Sequence, residues 1–508
     1  MPSDRPQLGG TSRGQVSGDP SGAQHSRARP ACRRAQSVGS TRLGDTVRGD
    51  PITRTHGPFS TLYPQPDPPA TQDEAGEIEK HAEHLASGDK QYFIALIDFL
   101  NRRRSGEDRM DLVRDPDDPD FGLLLRQGEL IVRTELVDDS LLAELRAANV
   151  GFEENARLPV PDELEGKVTR FASTLEAKDL HALARRLRAD GHAVSVNHFT
   201  PLNPWVKGKG GPEPTRRRPE LVAGKPVAST VVAVIDTGIS DIRNDGWLDE
   251  IQRAADRSNV DELMWPGDTF LALGAGHGTF TCGLVTQASR MEIDGEVRPA
   301  APIVAIKALD VDGLGSEIEV AAAMVRAVHD GARIINLSLG TQSLDDQPPV
   351  ALQVALEIID AYDGPHGPGE EVVIVAAAGN YGDTRPCWPA AFKRVVAVAG
   401  LTGAGTPAGW SSRGFWVDCS TVGQGLVSTF VIGDESPEID PDDADVFPPG
   451  SDWAGWLGTS FAAPQIAGLI ARLCAERALT PRQALGEILR SGRPVPDFGK
   501  AVTILPGT

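Results

Sequence analysis

The chain has 508 residues, of which 40% are hydrophobic, so it is long enough for two or three domains with substantial cores. Its 71 acidic and 50 basic residues give a formal net charge of -21, which argues against nucleic acid or an anionic membrane as its partner. It contains no run of about 18 apolar residues, which excludes an ordinary transmembrane helix.

The first 72 residues form a basic leader that is rich in Ser, Gly and Pro and has almost no clustered apolar side chains. This composition predicts disorder. The leader lacks the apolar core of a secretory signal, and its aspartates weaken a transit-peptide interpretation. The cysteines are few, odd in number and without metal-ligand spacing, which predicts reduced thiols and a cytoplasmic location: Cys32, Cys282, Cys387, Cys419 and Cys474.

The region before the second half of the chain combines short helices and strands. A helical segment is expected over 73–124, interrupted at Ser87-Gly88. From 125 to 203 the pattern alternates as strand, helix, strand, helix and strand, which predicts a small α/β domain of ferredoxin-like order. The stretch 204–226 is rich in Lys, Arg, Gly and Pro and predicts an exposed linker, open to cutting at Arg216-Arg217-Arg218.

Residues 227–508 predict a doubly wound α/β domain, with a mainly parallel sheet and helices on both faces. The apolar run from Val231 to Ile235 is typical of a strand buried on both faces. Asp236 follows at its C-terminal end, where catalytic groups gather in open α/β sheets, although a surface turn is the alternative. His277 stands between two glycines at an expected helix start, where a capping or core histidine is the alternative.

Two later segments add polar groups of the kind that catalysis needs. An apolar run ends in Gly379-Asn380, where the amide could donate to a developing oxyanion or merely cap a strand or helix. Ser460 is expected in the first turn of a helix, with Pro464 in or near that turn, and an ordinary N-cap is the alternative. A serine becomes a nucleophile when a histidine, oriented by a buried carboxylate, takes its proton.

These segments resemble the active site of subtilisin-like serine proteases, peptidase family S8, in the motifs Val-Ile-Asp236-Thr-Gly, Gly-His277-Gly-Thr and Gly-Thr-Ser460-Phe-Ala-Ala-Pro. The resemblance covers about residues 226–480. It implies a serine endopeptidase with Asp236, His277 and Ser460 as its triad and Asn380 as oxyanion donor. It also implies an acyl-enzyme intermediate and extended peptide or protein substrates. The implied substrate-binding residues lie on two strand edges and around the pocket for the P1 side chain: Gly313, Leu314, Gly315, Ser338, Leu339, Gly340, Ala378, Gly379 and Cys387.

The chain departs from the family pattern at three places. Cys387 stands where the best-studied members have glycine at the base of the P1 pocket, which implies a shallower pocket. Phe280 replaces a second histidine that is not catalytic. The acidic insertion 434–445 could bind structural calcium, but it lacks the glycine and terminal glutamate of an EF-hand loop, which favours a solvated loop. We therefore expect no metal and no cofactor.

The order of elements in 125–203 resembles the inhibitor propeptide that precedes many of these proteases. It implies that the N-terminal region acts as an intramolecular inhibitor or folding chaperone, as in a zymogen. An accessory domain without that role is the equal alternative. For the whole chain, the alternative is a catalytically silent or narrowly specific binding protein of the same fold, which is expected to have lost a triad residue. A nucleotide-binding protein is disfavoured because neither glycine-rich phosphate motif is present.

Overall fold

The computed structural model describes residues 59, 68–87, 97–104, 109–114, 122–151, 157–202, 211–220, 222, 224–241, 251–253, 259–364, 367–438, 444–450 and 453–507. All of them belong to one compact unit, Asp50–Thr508. The predicted leader 1–72 lies outside the described residues, apart from residues 59 and 68–72. Residues 203–210 of the predicted boundary and linker also lie outside them.

The N-terminal part is an antiparallel sheet with helices on one face. Helix α1 (Gln72–Ser87) comes first, followed by a helical turn at 97–101. The remaining elements are β1 (Met110–Arg114), β2 (Gly122–Arg133), α2 (Asp139–Ala147), β3 (Arg157–Leu158), β4 (Val168–Ala172), α3 (Ala177–Ala189) and β5 (Val194–Pro201). Strand β2 pairs antiparallel with β1, β4 and β5, and β3 pairs with β4.

The second part contains a nine-stranded sheet and several smaller sheets. Its helices are α4 (His277–Ala288), α5 (Glu317–His329), α6 (Val350–Ala361), α7 (Thr459–Arg477) and α8 (Pro481–Ser491). Its strands are β6 (Glu213–Pro214), β7 (Val231–Asp236), β8 (Gln252–Arg253), β9 (Arg290–Ile293), β10 (Glu296–Pro299), β11 (Ile303–Lys307), β12 (Leu314–Ser316), β13 (Ala332–Leu337), β14 (Asp363–Gly364), β15 (Gly367–Pro368), β16 (Val373–Ala377), β17 (Val396–Leu401), β18 (Cys419–Val422), β19 (Leu426–Thr429), β20 (Gly433–Asp434), β21 (Val446–Phe447), β22 (Trp453–Trp456), β23 (Arg493–Val495) and β24 (Gly499–Ala501).

The nine strands lie in the order β23-β24-β18-β17-β16-β13-β7-β11-β8, and every pair except β23–β24 is parallel. Phe280 of α4 and Ile466 of α7 pack in one buried cluster, whereas Ala321 of α5 and Ala351 of α6 pack in another. Helices therefore cover both faces, which confirms the predicted doubly wound fold. After β7 the chain forms β8 and β11 on one side of β7 and then β13 on its other side. Asp236, at the end of β7, therefore lies at a topological switch point, where such sheets bind ligands.

The small N-terminal domain packs against the helices of the second part. Its helices α2 and α3 bury leucines such as Leu145 and Leu183 against one face of its sheet. On the other face, Ile131 of β2 is fully buried in the same cluster as Ala321 and Ala351. The antiparallel sheet is therefore covered on both faces, by its own helices on one face and by the second part of the chain on the other.

Residues 211–218 differ from the predicted exposed linker. Strand β6 pairs antiparallel with β22, which makes it an edge strand of a three-stranded sheet. Thr215 and Arg217 are 4% and 3% exposed, and the Thr215 hydroxyl donates to Glu74 Oε1 of α1 at 2.7 Å. The composition of the segment suggests a linker, but composition carries no information about a partner more than one hundred residues away.

Candidate active site

Asp236 and His277 form a buried hydrogen-bonded pair at the end of β7. The His277 Nδ1 lies 2.8 Å from Asp236 Oδ1 and 3.0 Å from Oδ2. Both residues are at most 1% exposed. Because a carboxylate only accepts, the hydrogen lies on Nδ1 and leaves Nε2 as the basic nitrogen. Nε2 is buried and has no hydrogen-bond partner among the described residues.

His277 is the first residue of α4, as predicted, and Gly276 sets the direction of the chain before it. Gly276 has φ 79°, a left-handed conformation that favours glycine. A Cβ at this position would lie 2.5 Å from the Phe430 ring. The chain can therefore turn into the helix here only because Gly276 has no side chain.

Two aromatic rings contact the imidazole, and a third packs against both of them. Trp456 meets the His277 ring edge-on, with 5.4 Å between centroids, and the Phe461 ring lies at 5.2 Å. Phe280 packs against Phe461 at 4.6 Å. These rings exclude water from the imidazole, which strengthens its electrostatic interaction with Asp236.

Ser460 is the second residue of α7 and is tied to Ser338, just after β13. Its Oγ donates to the Ser338 carbonyl oxygen at 2.9 Å. The Ser338 hydroxyl donates to the Ser460 carbonyl oxygen at 2.7 Å. Pro464 is the sixth residue of α7, near its first turn as predicted, and it lacks the N–H that the Ser460 carbonyl would otherwise accept.

Asn380 follows β16 and Gly379, and its amide is oriented by Thr459. The Asn380 Oδ1 accepts from the Thr459 N–H at 2.9 Å and from the Thr459 hydroxyl at 3.0 Å. The Nδ2 group is buried and has no hydrogen-bond partner among the described residues. Because Thr459 is adjacent to Ser460, the amide is a hydrogen-bond donor next to the serine. The orienting role of Thr459 is not apparent from its sequence pattern.

The end of β5 pairs with both of the strand edges predicted to bind substrate. Strand β12 pairs antiparallel with β5, so that Leu314 lies opposite Pro201. The Leu202 N–H donates to the Gly313 carbonyl oxygen at 3.0 Å. On the other side, Leu202 forms an antiparallel bridge with Leu339. The last residues of β5 thus lie between the two edges as an additional strand.

The remaining predicted pocket residues lie close together. A Cβ on Gly379 would be 3.1 Å from the Cys387 sulfur. Ala378, Gly379 and Cys387 therefore share one region beside Asn380. Burial raises the pKa of the Cys387 thiol, so that it stays neutral at physiological pH.

Within the described part of the chain, no three His, Cys, Asp or Glu side chains are grouped so that they could hold a metal ion. Residues 439–443 of the predicted acidic insertion lie outside that part. The four described cysteines form no disulfide. None of the described helices is long and apolar enough to cross a membrane.

Comparisons with known proteins agree with this geometry. The profile of the subtilase family, Peptidase_S8, matches residues 228–495. A thermophilic serine proteinase of Bacillus sp. (strain AK1) is 28% identical over 360 residues, which are 69% of this chain and 78% of the relative. Thermitase of Thermoactinomyces vulgaris is 26% identical over 287 residues, 55% of this chain and 86% of the relative.

Among solved structures, that of fervidolysin from Fervidobacterium pennivorans, a keratinolytic enzyme related to subtilisin, has a TM-score of 0.49 and 20% identity. The likeness covers 75% of this chain and 60% of fervidolysin. The profile match alone spans more than half of the chain. The protein therefore belongs to the subtilase family of serine proteases.

Proposed function

We propose that the protein is a serine endopeptidase that cleaves extended peptides through an acyl-enzyme on Ser460. The observation that carries this proposal is the 2.8 Å bond between His277 Nδ1 and the buried Asp236 carboxylate. This bond leaves His277 Nε2 as the base for Ser460, which lies on helix α7. The Asn380 Nδ2 group, which has no hydrogen-bond partner among the residues that the structure describes, supports a role as oxyanion donor beside the same serine.

In the proposed reaction, Ser460 Oγ attacks the peptide carbonyl carbon while His277 Nε2 takes the hydroxyl proton. The negative charge that develops on the carbonyl oxygen is stabilised by Asn380 Nδ2. The carbon–nitrogen bond then breaks as His277 gives its proton to the leaving amine. Water, deprotonated by His277, hydrolyses the acyl ester and restores the serine.

A fluorophosphonate probe tests this assignment because it reacts with an activated serine hydroxyl. The full chain is expected to be labelled at Ser460, as located by mass spectrometry, and to hydrolyse a denatured protein substrate. Ser460→Ala should abolish both, whereas Ser491→Ala, at the end of α8, should retain both. Labelling or hydrolysis that survives Ser460→Ala would show that another residue is the nucleophile.

We further propose that the N-terminal domain restrains this site by occupying the substrate edges. Backbone pairing supports it on both sides. The Leu202 N–H donates to the Gly313 carbonyl oxygen at 3.0 Å, and the Gly340 N–H donates to the Pro201 carbonyl oxygen at 3.0 Å. An extended substrate needs the same donors and acceptors, so it has to displace β5. Because β5 is on the same chain, its effective concentration is high.

A buried carboxylate at the start of α5 supports stable docking of the same domain. Glu317 is fully buried and accepts from the Ser195 hydroxyl at 2.9 Å and from the His198 N–H at 3.3 Å. It also accepts from the Ala351 N–H at 3.2 Å. Because two of these donors belong to the small domain, its departure would remove hydrogen bonds from a buried carboxylate, which is costly.

Two substitutions at Leu202 test the restraint. Leu202→Pro removes the N–H that donates to Gly313, whereas Leu202→Ala keeps it. Leu202→Pro should label at Ser460 at least about fivefold faster than the uncut parent chain, the factor expected for one lost backbone hydrogen bond. Leu202→Ala should change the rate less. Equal labelling rates in all three chains would show that β5 does not limit access.

A further inference from the structure

A second buried carboxyl group, that of Asp261, lies beside the Asp236–His277 pair. Asp261 is 3% exposed, and none of the catalytic motifs contains it. Its N–H donates to the Ile239 carbonyl oxygen at 3.1 Å, and the Ile239 N–H donates to the Asn259 carbonyl oxygen at 3.1 Å. The segment 259–261 is thereby fixed along the chain that leaves β7 after Asp236.

On one side, Asp261 contacts the residue before His277. Its Oδ2 accepts from the Gly276 N–H at 2.9 Å. The first amides of a helix have no acceptor within the helix, so an outside acceptor decides where they lie. Asp261 supplies that acceptor to Gly276, whose left-handed φ of 79° sets the direction in which α4 starts.

On the other side, Asp261 faces Thr237, the residue after Asp236. The Thr237 side chain lies close to the Asp261 carboxyl group and lowers its pKa. The Thr237 N–H donates to Asp236 Oδ1 at 2.8 Å, and the Thr237 Oγ1 accepts from the Gly278 N–H at 3.1 Å. Asp261 thus joins the loop that carries Asp236, through its own N–H, to the turn that carries the histidine, through its carboxyl group.

The surroundings of Asp261 favour its neutral form. Burial, together with the negative charge of Asp236, raises its pKa to about 8, while the Gly276 N–H, Lys307 and Thr237 oppose the shift. Lys307 is itself paired with Glu262 at 2.9 Å, which weakens its effect. Asp261 Oδ1 has no hydrogen-bond partner among the described residues. At neutral pH the Asp261 carboxyl group is therefore predominantly neutral.

We propose that Asp261 is a positioning residue of the protease, a hydrogen-bond acceptor that holds the first turn of α4 so that His277 faces Asp236. The proposal rests on the proposed roles of those two residues. A displacement of about 1 Å in a catalytic group can lower the rate about 100-fold, so a single acceptor at this junction is enough to matter.

Two substitutions in the full chain separate this role from simple packing. Asp261→Asn keeps a neutral acceptor oxygen and should retain kcat at pH 7 within about threefold of the parent. Asp261→Ala removes the acceptor and should lower kcat at least about tenfold, with KM within about twofold, because the loss affects the reacting geometry more than substrate binding. Glu262→Gln, at the exposed neighbouring carboxylate, is the matched control and should change neither constant. Parent-like kcat in Asp261→Ala, or equal losses in the Asn and Ala variants, would overturn the proposal.

Unfolding measured against pH supplies a readout that needs no activity, using chains that carry Ser460→Ala. The folded-state pKa of about 8 lies above the unfolded value near 4, so stability is lost as pH rises through this window. Asp261→Asn should remove this loss. The unfolding constant of the chain that keeps Asp261, divided by that of the Asp261→Asn chain, should therefore rise about tenfold per pH unit between pH 5 and 7.

A constant ratio would show that Asp261 is ionised, and the inference that it is a neutral acceptor would fail. If Asp261→Ala does not fold, the kcat of Asp261→Asn and this ratio decide the matter together. Failure of the proposed function would be recognised separately, because the parent chain would then not be labelled at Ser460.

Discussion

Ser338 and Ser460 exchange two hydrogen bonds, one through each hydroxyl, so that the end of strand β13 and the start of helix α7 are fixed to each other at Ser460. The Ser460 hydroxyl donates to the Ser338 carbonyl oxygen at 2.9 Å, and the Ser338 hydroxyl donates to the Ser460 carbonyl oxygen at 2.7 Å. The second bond exists because Pro464 has no N–H to offer that carbonyl. The missing N–H of Pro464 therefore leads to a bond between Ser460 and Ser338, which follows β13 on an edge predicted to bind substrate.

A double-mutant cycle tests this relationship. Ser338→Ala leaves the buried Ser460 carbonyl without its partner, which should lower the free energy of unfolding by about 1–3 kcal/mol. Pro464→Ala restores a helical N–H, so in that background the same change should cost less than about 1 kcal/mol. Urea unfolding of the four chains, each carrying Ser460→Ala to prevent self-cleavage, measures both costs. If the two substitutions have additive effects on the free energy of unfolding, Pro464 does not determine how much the Ser338 hydroxyl contributes to stability.

Asn380→Ala should lower kcat about 100- to 1000-fold and leave KM within about twofold. This loss in kcat is the one known for removing one oxyanion donor from a subtilisin. KM should hardly change because the proposed role of the amide is to stabilise charge that is present only in the transition state. Initial rates on a peptide substrate give both constants. Thr459→Ser keeps the hydroxyl that orients Asn380 and should retain most activity. A raised KM with unchanged kcat would instead make Asn380 a substrate-binding residue.

The positions of Asp236, His277 and Ser460 could be predicted because each stands at the start or end of an element that local sequence defines. A parallel sheet then brings the carboxyl ends of its strands to one edge. Thr459 is visible in its motif, but its bond to Asn380 could not be predicted, because that bond joins residues 79 positions apart. The bond that replaces the one missing at Pro464 could not be predicted either, because its donor, the Ser338 hydroxyl, lies outside α7.

Other features could not be predicted because they arise from pairing between distant segments. Asp261 lies in a stretch without motif or periodicity, and its role emerges only where it meets Gly276, 15 residues on. The pairing of β5 with β12 and the burial of Arg217 are tertiary contacts of the same kind. Composition at 204–226 indicates a linker, and the buried residues within it depend on α1 and β22.

Cys387→Gly should widen the accepted P1 residues from small or medium apolar side chains towards Phe and Tyr. The reason is the close approach of the Cys387 sulfur to Gly379, where a Cβ would lie only 3.1 Å away, in the region predicted to form the P1 pocket. Cleavage-site profiles on a peptide library measure the change. Cys474→Ala, on α7, is the control for losing a buried thiol. An unchanged profile would place Cys387 outside the pocket.

Arg104→Met should destabilise the fold by about 3–5 kcal/mol at pH 7, because it leaves the buried Asp312 carboxylate without its cation. Arg104 donates to Asp310 at 2.5 Å and to Asp312 at 3.0 Å, in the turn that precedes the substrate strand β12. Burial and the neighbouring Asp310 raise the pKa of Asp312 to about 6, so this carboxyl is largely protonated at pH 5. The cost of Arg104→Met should therefore be smaller at pH 5 than at pH 7.

Urea unfolding of Ser460→Ala chains at the two pH values measures this cost. Arg103→Met is the matched control, because the Arg103–Asp268 pair, at 27% and 20%, is more exposed than the Arg104–Asp312 pair, at 4% and 1%. A partly exposed pair contributes about 0–1 kcal/mol. Equal costs for the two arginines, or a larger cost at pH 5, would contradict the role assigned to the buried cluster.

The last prediction concerns residues 213–217, which α1 holds against β22. Arg217 is 3% exposed, and the Thr215 hydroxyl beside it donates to Glu74 Oε1 at 2.7 Å. Because a protease must draw several residues into its own cleft, trypsin should not cut after Arg217 while this contact persists. Glu74→Ala removes a hydrogen bond to a charged acceptor, which is worth about 1.5–3 kcal/mol, so local opening and cutting after Arg217 should increase at least about tenfold.

First-cut rates, measured by mass spectrometry on Ser460→Ala chains at low trypsin, test this expectation. Glu83→Ala, at an exposed position of the same helix, should leave the rate unchanged. Rapid cutting after Arg217 in the parent chain, at the rate seen in both variants, would mean that the segment is open in solution. The structure instead requires any cut that separates the N-terminal domain without unfolding it to fall outside the α1-bound residues 213–217.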